Sequence, residues 1–308
     1  MKQSVRKESL LHELERVEHL ANTSKFGRLI NNPLKYLFAI GHRSLVYPIT
    51  KTDRFVKRKS FFGHYLHLTL PASVDIFLTG GKSHPSELRL AKYLIKNLSE
   101  GQVFMDIGAH IGYFSLLASV LVGDGGTVYA FEPTGGTHQL LAENVKSTPC
   151  IEVYQKAVYN TVGFQKFYEF PPIYAEYNSF DIDQFKGESW FGNSGVEVIT
   201  VDTTNLDDFI KENRKKPDII KIDVEGSEDK VIDGGSAFLQ SFGPKIIMEF
   251  LSSDRKNAPH TRAASLLNEW DYKAYTINYK GELDLCYDIT EHLDFLGLDS
   301  DNIVFIKA

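Results

Sequence analysis

The chain has 308 residues and a formal net charge of −6 at pH 7, with 43 % hydrophobic and 24 % charged residues. This composition is typical of a globular protein and excludes a disordered, collagenous or fibrous chain. Its two cysteines, Cys150 and Cys286, are too few for a disulfide scaffold or a four-cysteine zinc site, and they suit a reducing compartment.

The charge is unevenly distributed along the chain. Residues 1–100 contain 17 basic and 8 acidic residues, a balance of +9, whereas residues 101–308 contain 17 and 32, a balance of −15. This division indicates two functional surfaces. No run of 18 apolar residues occurs and the first residues lack the apolar stretch of a secretory signal, so we expect a cytoplasmic chain without a membrane-spanning helix.

The N-terminal part is predicted to combine helices with a hairpin. Apolar residues at helical spacing predict an amphipathic helix over residues 4–21. Residues 51–59 contain five Lys or Arg. Short apolar runs then predict strands over residues 65–70 and 74–78, joined into a hairpin by a turn at residues 71–73.

Beyond this hairpin, helices and apolar strands alternate with short connections. Helices are predicted over residues 86–98, 112–122, 136–146, 204–212, 228–240 and 260–269, and strands over residues 102–107, 127–131, 151–155, 218–223, 245–250, 272–277 and 303–307. The alternation predicts an α/β fold with a doubly wound, mostly parallel sheet. Residues 160–200, rich in Tyr, Phe, Gly and Asn, interrupt it as an insertion, predicted to form a small hairpin lobe.

The first strand of this sheet ends in a glycine turn that predicts a cofactor pocket. Gly108 and Gly112 flank the turn, and Asp106 ends the strand. Glu132, which ends the next strand 20 residues after Gly112, is placed to bind ribose hydroxyls. Ligands of open α/β sheets bind at the carboxyl ends of the strands, where glycines allow close backbone approach.

The acidic character of this pocket favours S-adenosylmethionine (SAM) as the cofactor. A dinucleotide fingerprint needs a glycine where this chain has His110, and the glycine-lysine pattern of a phosphate-binding P-loop is absent. Asp106 suits a cationic group better than a phosphate. The amino and sulfonium groups of SAM are both positive.

Three motifs follow one another at compatible spacing. They are Asp-Ile-Gly-Ala-His-Ile-Gly at residues 106–112, Ala-Phe-Glu-Pro at residues 130–133 and Lys-Ile-Asp-Val-Glu-Gly-Ser-Glu at residues 221–228. Together they resemble the FkbM family of SAM-dependent methyltransferases, over residues 84–307, with a departure at His110, where the family more often has Asn. The resemblance implies a seven-stranded, Rossmann-like class I methyltransferase sheet. It also implies methyl transfer to oxygen, often of a sugar or polyketide hydroxyl.

The resemblance also implies a division of the chain and a set of site residues. Residues 84–308 form the methyltransferase domain, with the insertion at about 160–200, and residues 1–83 form a basic extension of helices plus a hairpin. The residues expected to bind the cofactor are Glu87, Asp106, Gly108, Ala109, His110, Gly112, Glu132, Pro133, Ala157 and Asp223.

Catalysis on a hydroxyl benefits from a base, and three residues are candidates: Asp223, Glu249 and His260. Lys221 shares a strand face with Asp223 and, if buried, needs a carboxylate partner, for which Glu249 is a candidate. Glu225 has two interpretations, either a functional residue of the site or a residue that only shapes the turn or caps the next helix. Asp223 with Glu225 or Glu249 could hold Mg²⁺ through oxygen ligands, but the sequence does not require a metal.

Two further regions have more than one interpretation. Aromatic residues of the insertion form either a sugar-stacking wall or the core of the lobe: Tyr168, Tyr174, Tyr177, Phe180, Trp190 and Phe191. The basic run at 51–59 is a solvated face, a site for an acidic glycan, or, with helix 4–21, a contact with an anionic membrane surface such as the inner membrane. Helix 4–21 could alternatively be a dimer seam. No nucleic-acid partner is expected, because no recognisable module for it is present.

These observations lead to one functional hypothesis and several alternatives. We expect a SAM-dependent O-methyltransferase that acts on a hydroxyl of a saccharide or glycoconjugate. The alternatives are O-methylation of a polyketide-like small molecule, a nicotinamide-dependent oxidoreductase, a non-catalytic glycan-assembly binding protein, and an RNA methyltransferase. The acceptor, the methylated position and the oligomeric state stay open.

Overall fold

The computed structural model describes residues 2–187, 191–193, 195–213 and 215–308. The chain begins with four helices: α1 (Lys2–Asn22), α2 (Lys25–Asn31), α3 (Pro33–Gly41) and α4 (Tyr47–Thr50), with a π-helical turn at His42–Val46 before the last. The helix expected at residues 4–21 is confirmed as α1. Side-chain caps start the next two helices, because Ser24 accepts a hydrogen bond from the Gly27 amide and Asn32 accepts one from the Lys35 amide.

A two-stranded sheet follows, and one of its strands differs from the prediction. β1 (Arg54–Lys59) pairs antiparallel with β2 (Tyr65–Leu70), and the next element is helix α5 (Val74–Thr79). The expected strand at 74–78 was wrong. Its apolar residues face the core from a helix, and the amide of Phe77 donates to the carbonyl of Ser73. The backbone partner of β2 is the basic segment that precedes it.

The remaining elements alternate as predicted. In chain order they are α6 (Pro85–Asn97), β3 (Val103–Ile107), α7 (Tyr113–Val122), β4 (Thr127–Phe131), α8 (Gly135–Val145), β5 (Ile151–Tyr154), β6 (Ala157–Val158), β7 (Gly163–Glu169), β8 (Glu197–Thr204), α9 (Leu206–Glu212), β9 (Ile219–Ile222), α10 (Glu228–Asp233), α11 (Ser236–Phe242), β10 (Lys245–Leu251), α12 (Ala258–Glu269), β11 (Tyr272–Ile277), β12 (Leu283–Leu285), α13 (Ile289–Leu296) and β13 (Ser300–Lys307). The single helix expected at 228–240 is divided at Gly234 and Gly235 into α10 and α11.

The main sheet has the order β12-β11-β13-β10-β9-β3-β4-β5. The five strands from β10 to β5 run parallel, whereas β13 is antiparallel to both β10 and β11. The predicted doubly wound, mostly parallel α/β sheet is therefore confirmed. It has eight strands instead of seven, because the short, largely exposed β12 extends the edge beside β11.

The insertion forms a small sheet of its own. β7 and β8 pair antiparallel, and β6 adds to β8 in parallel. Single-turn helices at Pro172–Tyr177, Asp183–Phe185 and Phe191–Asn193 connect β7 to β8. Trp190 lies outside the described residues.

The main sheet separates two hydrophobic core clusters. Along β3, Val103, Met105 and Ile107 belong to one cluster and Phe104 to the other, because successive side chains of a strand point to opposite faces. Helices α1 and α5 to α8 pack on the Phe104 side, and α9 to α13 pack on the other. Within the described residues, we find no helix long and apolar enough to cross a bilayer.

The N-terminal extension shares the core of the main sheet. Leu10, Leu14 and Val17 of α1 are buried in the same cluster as α6 and α7. Lys92 Nζ on α6 donates to Glu18 Oε2 on α1 at 2.7 Å. Helix α1 thus covers α6, next to the carboxyl ends of the central strands.

Candidate active site

A cleft of about 620 Å³ lies at the carboxyl ends of β3, β4, β9 and β10. Its lining comes from four parts of the chain: these strand ends, the insertion, the turn before α6, and the N-terminal extension. Because parallel strands end at one edge of the sheet, residues far apart in sequence converge there. The cleft is therefore the place to look for the predicted site residues.

The glycine turn after β3 forms the floor of the cleft. Gly108 has φ +79°, and a Cβ at this position would lie 1.8 Å from the carbonyl oxygen of Asp223. The amides of Gly108 and Ala109 donate to the carbonyl of Phe131, which anchors the turn to β4. His110 also has a positive φ, +50°, and lines the cleft. Burial and the nearby ammonium of Lys82 lower the pKa of His110 to about 4, so its imidazole is neutral at pH 7.

Glu132 fastens the end of β4 to this turn. Its Oε1 accepts hydrogen bonds from the amide and hydroxyl of Thr134, at 3.1 and 2.7 Å, and its Oε2 accepts one from the His110 amide at 3.2 Å. Burial raises the pKa of Glu132 to about 7, although these hydrogen bonds oppose the shift. A carboxylate has about four acceptor positions, so Oε2 keeps room for a further donor.

Lys221 lies buried between two carboxylates. Its Nζ is 3.0 Å from Asp223 Oδ2 and 3.5 Å from Asp106 Oδ1, and 5.6 Å from the centre of the Phe114 ring. Asp106 also accepts a hydrogen bond from Ser115 Oγ at 2.6 Å. Asp106 is fully buried outside the cleft lining, whereas Asp223 reaches the cleft. The carboxylate partners of Lys221 are thus Asp106 and Asp223, and not Glu249.

Three carboxylates meet at one side of the cleft. One oxygen each of Asp223, Glu225 and Glu249 lies within 4.8 Å of the others. Burial alone would raise the pKa of Asp223, but the ammonium groups of Lys221 and Lys82 outweigh burial and lower it. Burial and the charge of Asp223 instead raise the pKa of Glu249 to about 8, although Ser300 donates to its Oε1 at 2.7 Å.

The cluster can therefore keep a proton on one member at neutral pH. Burial and the charge of Glu249 raise the pKa of Glu225 well above its usual value. The same three oxygens form a set that a divalent cation such as Mg²⁺ could occupy. Proton sharing and cation binding are alternative ways to relieve the repulsion between the three carboxylates.

A lysine that the sequence interpretation missed completes the charge pattern. The ammonium of Lys82 pairs with the carboxylate of Glu87 and lies 5.6 Å from the centre of the Phe114 ring. Burial lowers the pKa of Lys82, but the charges of Glu87, Asp223 and Glu176 outweigh burial and raise it above its usual value. The turn after α5 places it there. No motif surrounds it, so no sequence signal could have identified it.

His260 lies outside the cleft lining. It is buried at the start of α12, where its Nε2 is 3.2 Å from Glu228 Oε2. Glu228 in turn accepts a hydrogen bond from the amide of Gly226 at 3.1 Å. The structure thus places His260 behind the loop that follows β9, where it supports that loop through Glu228.

The other predicted residues divide between the cleft wall and the layer behind it. Pro133, Ala157 and Glu87 line the cleft, whereas Ala109 and Gly112 do not. Tyr177 and Phe180 of the insertion also line it, while Phe180 packs on Phe167 and Tyr159 with ring centres 4.8 and 4.4 Å apart. The insertion aromatics therefore serve both as cleft wall and as lobe core. Tyr168, Tyr174 and Phe191 are not part of this lining.

The fold and the cleft define a class I methyltransferase architecture, and the sequence comparison agrees with it. Residues 106–274, more than half of the chain, match the methyltransferase FkbM domain, and the chain belongs to this family. The predicted family and the methyltransferase class are thereby confirmed.

Several characterised or solved proteins are similar to this chain. The hexuronic acid methyltransferase AglP of Haloferax volcanii is 26 % identical over 172 residues, which are 56 % of this chain and 65 % of AglP. A crystal structure of methyltransferase FkbM from Methylobacillus flagellatus has 18 % identity and a TM-score of 0.44, over 76 % of this chain and 52 % of that one. An O-methyltransferase from Bacillus cereus in complex with SAH has 14 % identity and a TM-score of 0.42, over 74 % and 83 %. The chain thus spans about two thirds of AglP and about half of the Methylobacillus protein.

Proposed function

We propose that this protein transfers a methyl group from SAM to a hydroxyl of a saccharide or glycoconjugate. The observation that carries the proposal is the cleft itself, where the glycine turn and Glu132 adjoin the carboxylate cluster, and where the pKa of Glu249 is raised to about 8. The glycine turn and Glu132 suit a nucleoside cofactor, and the carboxylate cluster suits removal of a proton from a hydroxyl. Membership of the FkbM methyltransferase family supports the same reaction class.

The residues present fit SAM. Gly108 lets the turn after β3 pack against the loop after β9 at the cleft floor, because any side chain there would collide with the Asp223 carbonyl. Glu132 has a free acceptor position for ribose hydroxyls, whose donation favours its ionised form. Asp223, kept ionised by Lys221 and Lys82, suits the positive end of the cofactor. When bound, SAM supplies an electrophilic methyl group on a positively charged sulfur.

The chain's own residues then position the acceptor and remove its proton. Glu249, with a pKa of about 8, is partly deprotonated at neutral pH and can accept the hydroxyl proton. Ser300 fixes the orientation of this carboxylate through the bond to Oε1. Asp223 stays ionised beside Glu249, and its carboxylate can accept a hydrogen bond from a hydroxyl of the same saccharide. Much of the rate acceleration of methyl transfer comes from holding the acceptor oxygen in line with the methyl carbon and the sulfur that it leaves.

Basic residues of the cleft lining support an acidic saccharide as the acceptor. They are Arg28, which donates to the Leu20 carbonyl, Lys156, which pairs with Asp202, and Arg255. Arg255 lies half-buried, and within the described residues its Nε has no hydrogen-bond partner. A planar guanidinium can form two parallel hydrogen bonds with a carboxylate, and we propose Arg255 for this role. AglP, by its name, acts on a hexuronic acid, a sugar that carries such a group.

A divalent cation bound by Asp223, Glu225 and Glu249 is the second candidate for activating the hydroxyl, favoured by the convergence of their oxygens. Activity measured after treatment with EDTA, and again after addition of Mg²⁺, distinguishes a cation from Glu249 as the group that activates the hydroxyl. Glu249 acting alone as the base predicts full activity with EDTA, whereas a required cation predicts its loss and its recovery with Mg²⁺.

Calorimetry tests the cofactor assignment. Titration with SAM should show one binding site, and titration with NAD should show none. Glu132→Gln should weaken SAM binding at least tenfold, because a hydrogen bond to a charged group contributes roughly 1.5–3 kcal/mol. The exposed Glu269→Gln is the matched control and should leave SAM binding unchanged. Tight binding of NAD without SAM would support the oxidoreductase alternative and reject our proposal.

A further inference from the structure

One segment of the N-terminal extension carries only one sign of charge. Between Glu18 and Asp53 the chain has no acidic residue. The same segment contains five basic residues: Lys25, Arg28, Lys35, Arg43 and Lys51. It comprises α2, α3, the π-helical turn and α4. This part of the chain is therefore a concentrated source of the positive charge in residues 1–100.

The same segment exposes an unusual number of large apolar side chains. Each of the following is between 40 % and 83 % exposed: Phe26, Ile30, Leu34, Leu37, Phe38, Leu45, Val46 and Ile49. On α2 and α3 they recur three or four residues apart, so each helix turns one apolar face to solvent. Ala39, His42 and Tyr47 point the other way and are buried. We call the exposed side chains of residues 25–51 the α2–α4 face.

Basic and apolar groups are interleaved across this surface. The guanidinium of Arg54 on β1 lies 5.5 Å from the centre of the Phe38 ring on α3. Burial and the nearby guanidinium of Arg58 on β1 lower the pKa of Lys35 on α3. Exposed Phe55 extends the apolar surface onto β1 itself. The α2–α4 face and β1 thus form one continuous basic and apolar surface.

Large exposed apolar patches in globular proteins mark sites of interaction with a partner or a membrane. We propose that the α2–α4 face docks this protein onto an anionic lipid bilayer, with its apolar side chains in the interface and its Lys and Arg against lipid phosphates. Charge complementarity selects this partner, since anionic lipids attract clustered basic residues next to an amphipathic surface. A second copy of the chain would instead bring two surfaces of the same charge together.

Docking would also orient the cleft. Arg28 of α2 and Ala21 of α1 belong to the lining of the cleft as well as to this end of the extension. A membrane bound at the α2–α4 face would therefore lie near the part of the cleft that Arg28 lines, where we place the acceptor. This consequence rests on the proposed function, whereas the docking itself does not.

Co-sedimentation of the full chain with lipid vesicles tests the proposal without reference to catalysis. One set of vesicles is pure phosphatidylcholine, and the other contains phosphatidylcholine and phosphatidylglycerol in equal amounts. The test variant is Leu34→Asp with Ile49→Asp, at positions 82 % and 83 % exposed. The matched control is Tyr287→Asp with Phe295→Asp, at positions 93 % and 87 % exposed outside the face. Thermal unfolding followed by circular dichroism verifies that each variant is folded.

The wild-type protein should bind the anionic vesicles and bind the neutral ones much more weakly, with binding that falls as salt rises. The test variant should lose at least tenfold in affinity, since two large apolar side chains are removed from the interface and replaced by charged ones. The control should bind like the wild type. Three outcomes would overturn the proposal: no binding to anionic vesicles, equal loss in test and control variants, or a stable dimer in light scattering that only the test variant dissociates.

Discussion

Neighbouring groups shift the pKa values of two carboxyl groups in the cleft in opposite directions. The ammonium groups of Lys221 and Lys82 lower the pKa of Asp223, while burial and the charge of Asp223 raise the pKa of Glu249 to about 8. Pairs of titratable groups whose pKa values are pushed apart are typical of acid–base sites. We therefore assign the proton-accepting role to Glu249 and a positioning role at the reacting groups to Asp223.

The raised pKa of Glu249 makes a prediction about stability. The folded protein holds the proton more tightly than the unfolded chain, whose usual pKa is 4.5. The contribution of Glu249 to the free energy of unfolding is thus fully present below about pH 4.5, and it is lost as pH rises through about 8. The melting temperature should therefore fall between pH 5.5 and 8.5. Glu249→Gln, which cannot ionise, should reduce this fall, and Glu269→Gln should not; an unchanged pH dependence in Glu249→Gln would contradict the assignment.

Lys82 makes a second prediction at this scale. Lys82→Met removes a positive charge that holds Asp223 ionised, so the pKa of Asp223 should rise. We expect kcat at neutral pH to fall about tenfold for each unit by which the pKa of Asp223 rises, since one unit corresponds to about 1.4 kcal/mol. The acidic limb of the pH–rate profile should move to higher pH. The control is Lys92→Met, which breaks the ion pair with Glu18 away from the cleft. A change of stability alone, with an unmoved pH profile, would show that Lys82 is only structural.

Cleft residues that directly follow strand ends could be predicted from the sequence. Cleft residues that tertiary packing places there could not. Gly108, Glu132 and Asp223 follow directly from the position of each strand, because parallel strands end at one edge. Lys82 and Ser300 reach the cleft through the packing of α5 and the antiparallel return of β13, which no local pattern encodes. His260 was expected as a candidate base at the start of the helix predicted over 260–269, but α12 turns its side chain toward Glu228 and away from the cleft lining.

At the scale of elements, helix α1 is an integral part of the core. Leu14 is fully buried together with α6 side chains, although the sequence interpretation assigned the first 83 residues to a separate extension. Leu14→Ala should lower the free energy of unfolding by about 2–5 kcal/mol, as expected for a buried leucine. Val5→Ala on the same helix, where the side chain is 61 % exposed, should change it little. Urea denaturation measures both, and a negligible effect of Leu14→Ala would show that α1 is not part of the cooperative core.

Element types were predictable where strands and helices alternate regularly, and the prediction failed in an isolated short run. From α6 to α12 each short apolar run is followed by a segment of helical periodicity, and this alternation identifies the runs as strands. The run at 74–78 has no such context, and its pattern fits a buried helical turn as well as a strand. β12 has three residues with little burial, so the sequence carried no signal for the eighth strand.

At the scale of the whole molecule, the charge division of the sequence has a structural counterpart. Asp223, Glu225 and Glu249 of the C-terminal two thirds meet in the cleft, whereas the segment of the first third that lacks acidic residues forms the α2–α4 face. The acidic cluster suits a cationic cofactor, and the basic face suits an anionic membrane. We therefore propose that the two signs of charge serve different partners.

The central claim, methyl transfer from SAM to a saccharide hydroxyl, is tested most directly by following a labelled methyl group. The protein is incubated with SAM carrying a tritiated methyl group and with acidic or neutral oligosaccharides. We predict label in the acidic oligosaccharide that resists mild alkali, as a methyl ether does, and loss of that label with Glu249→Gln. Label released by alkali would show a methyl ester instead. An absence of label in any oligosaccharide, together with no SAM binding, would contradict the account.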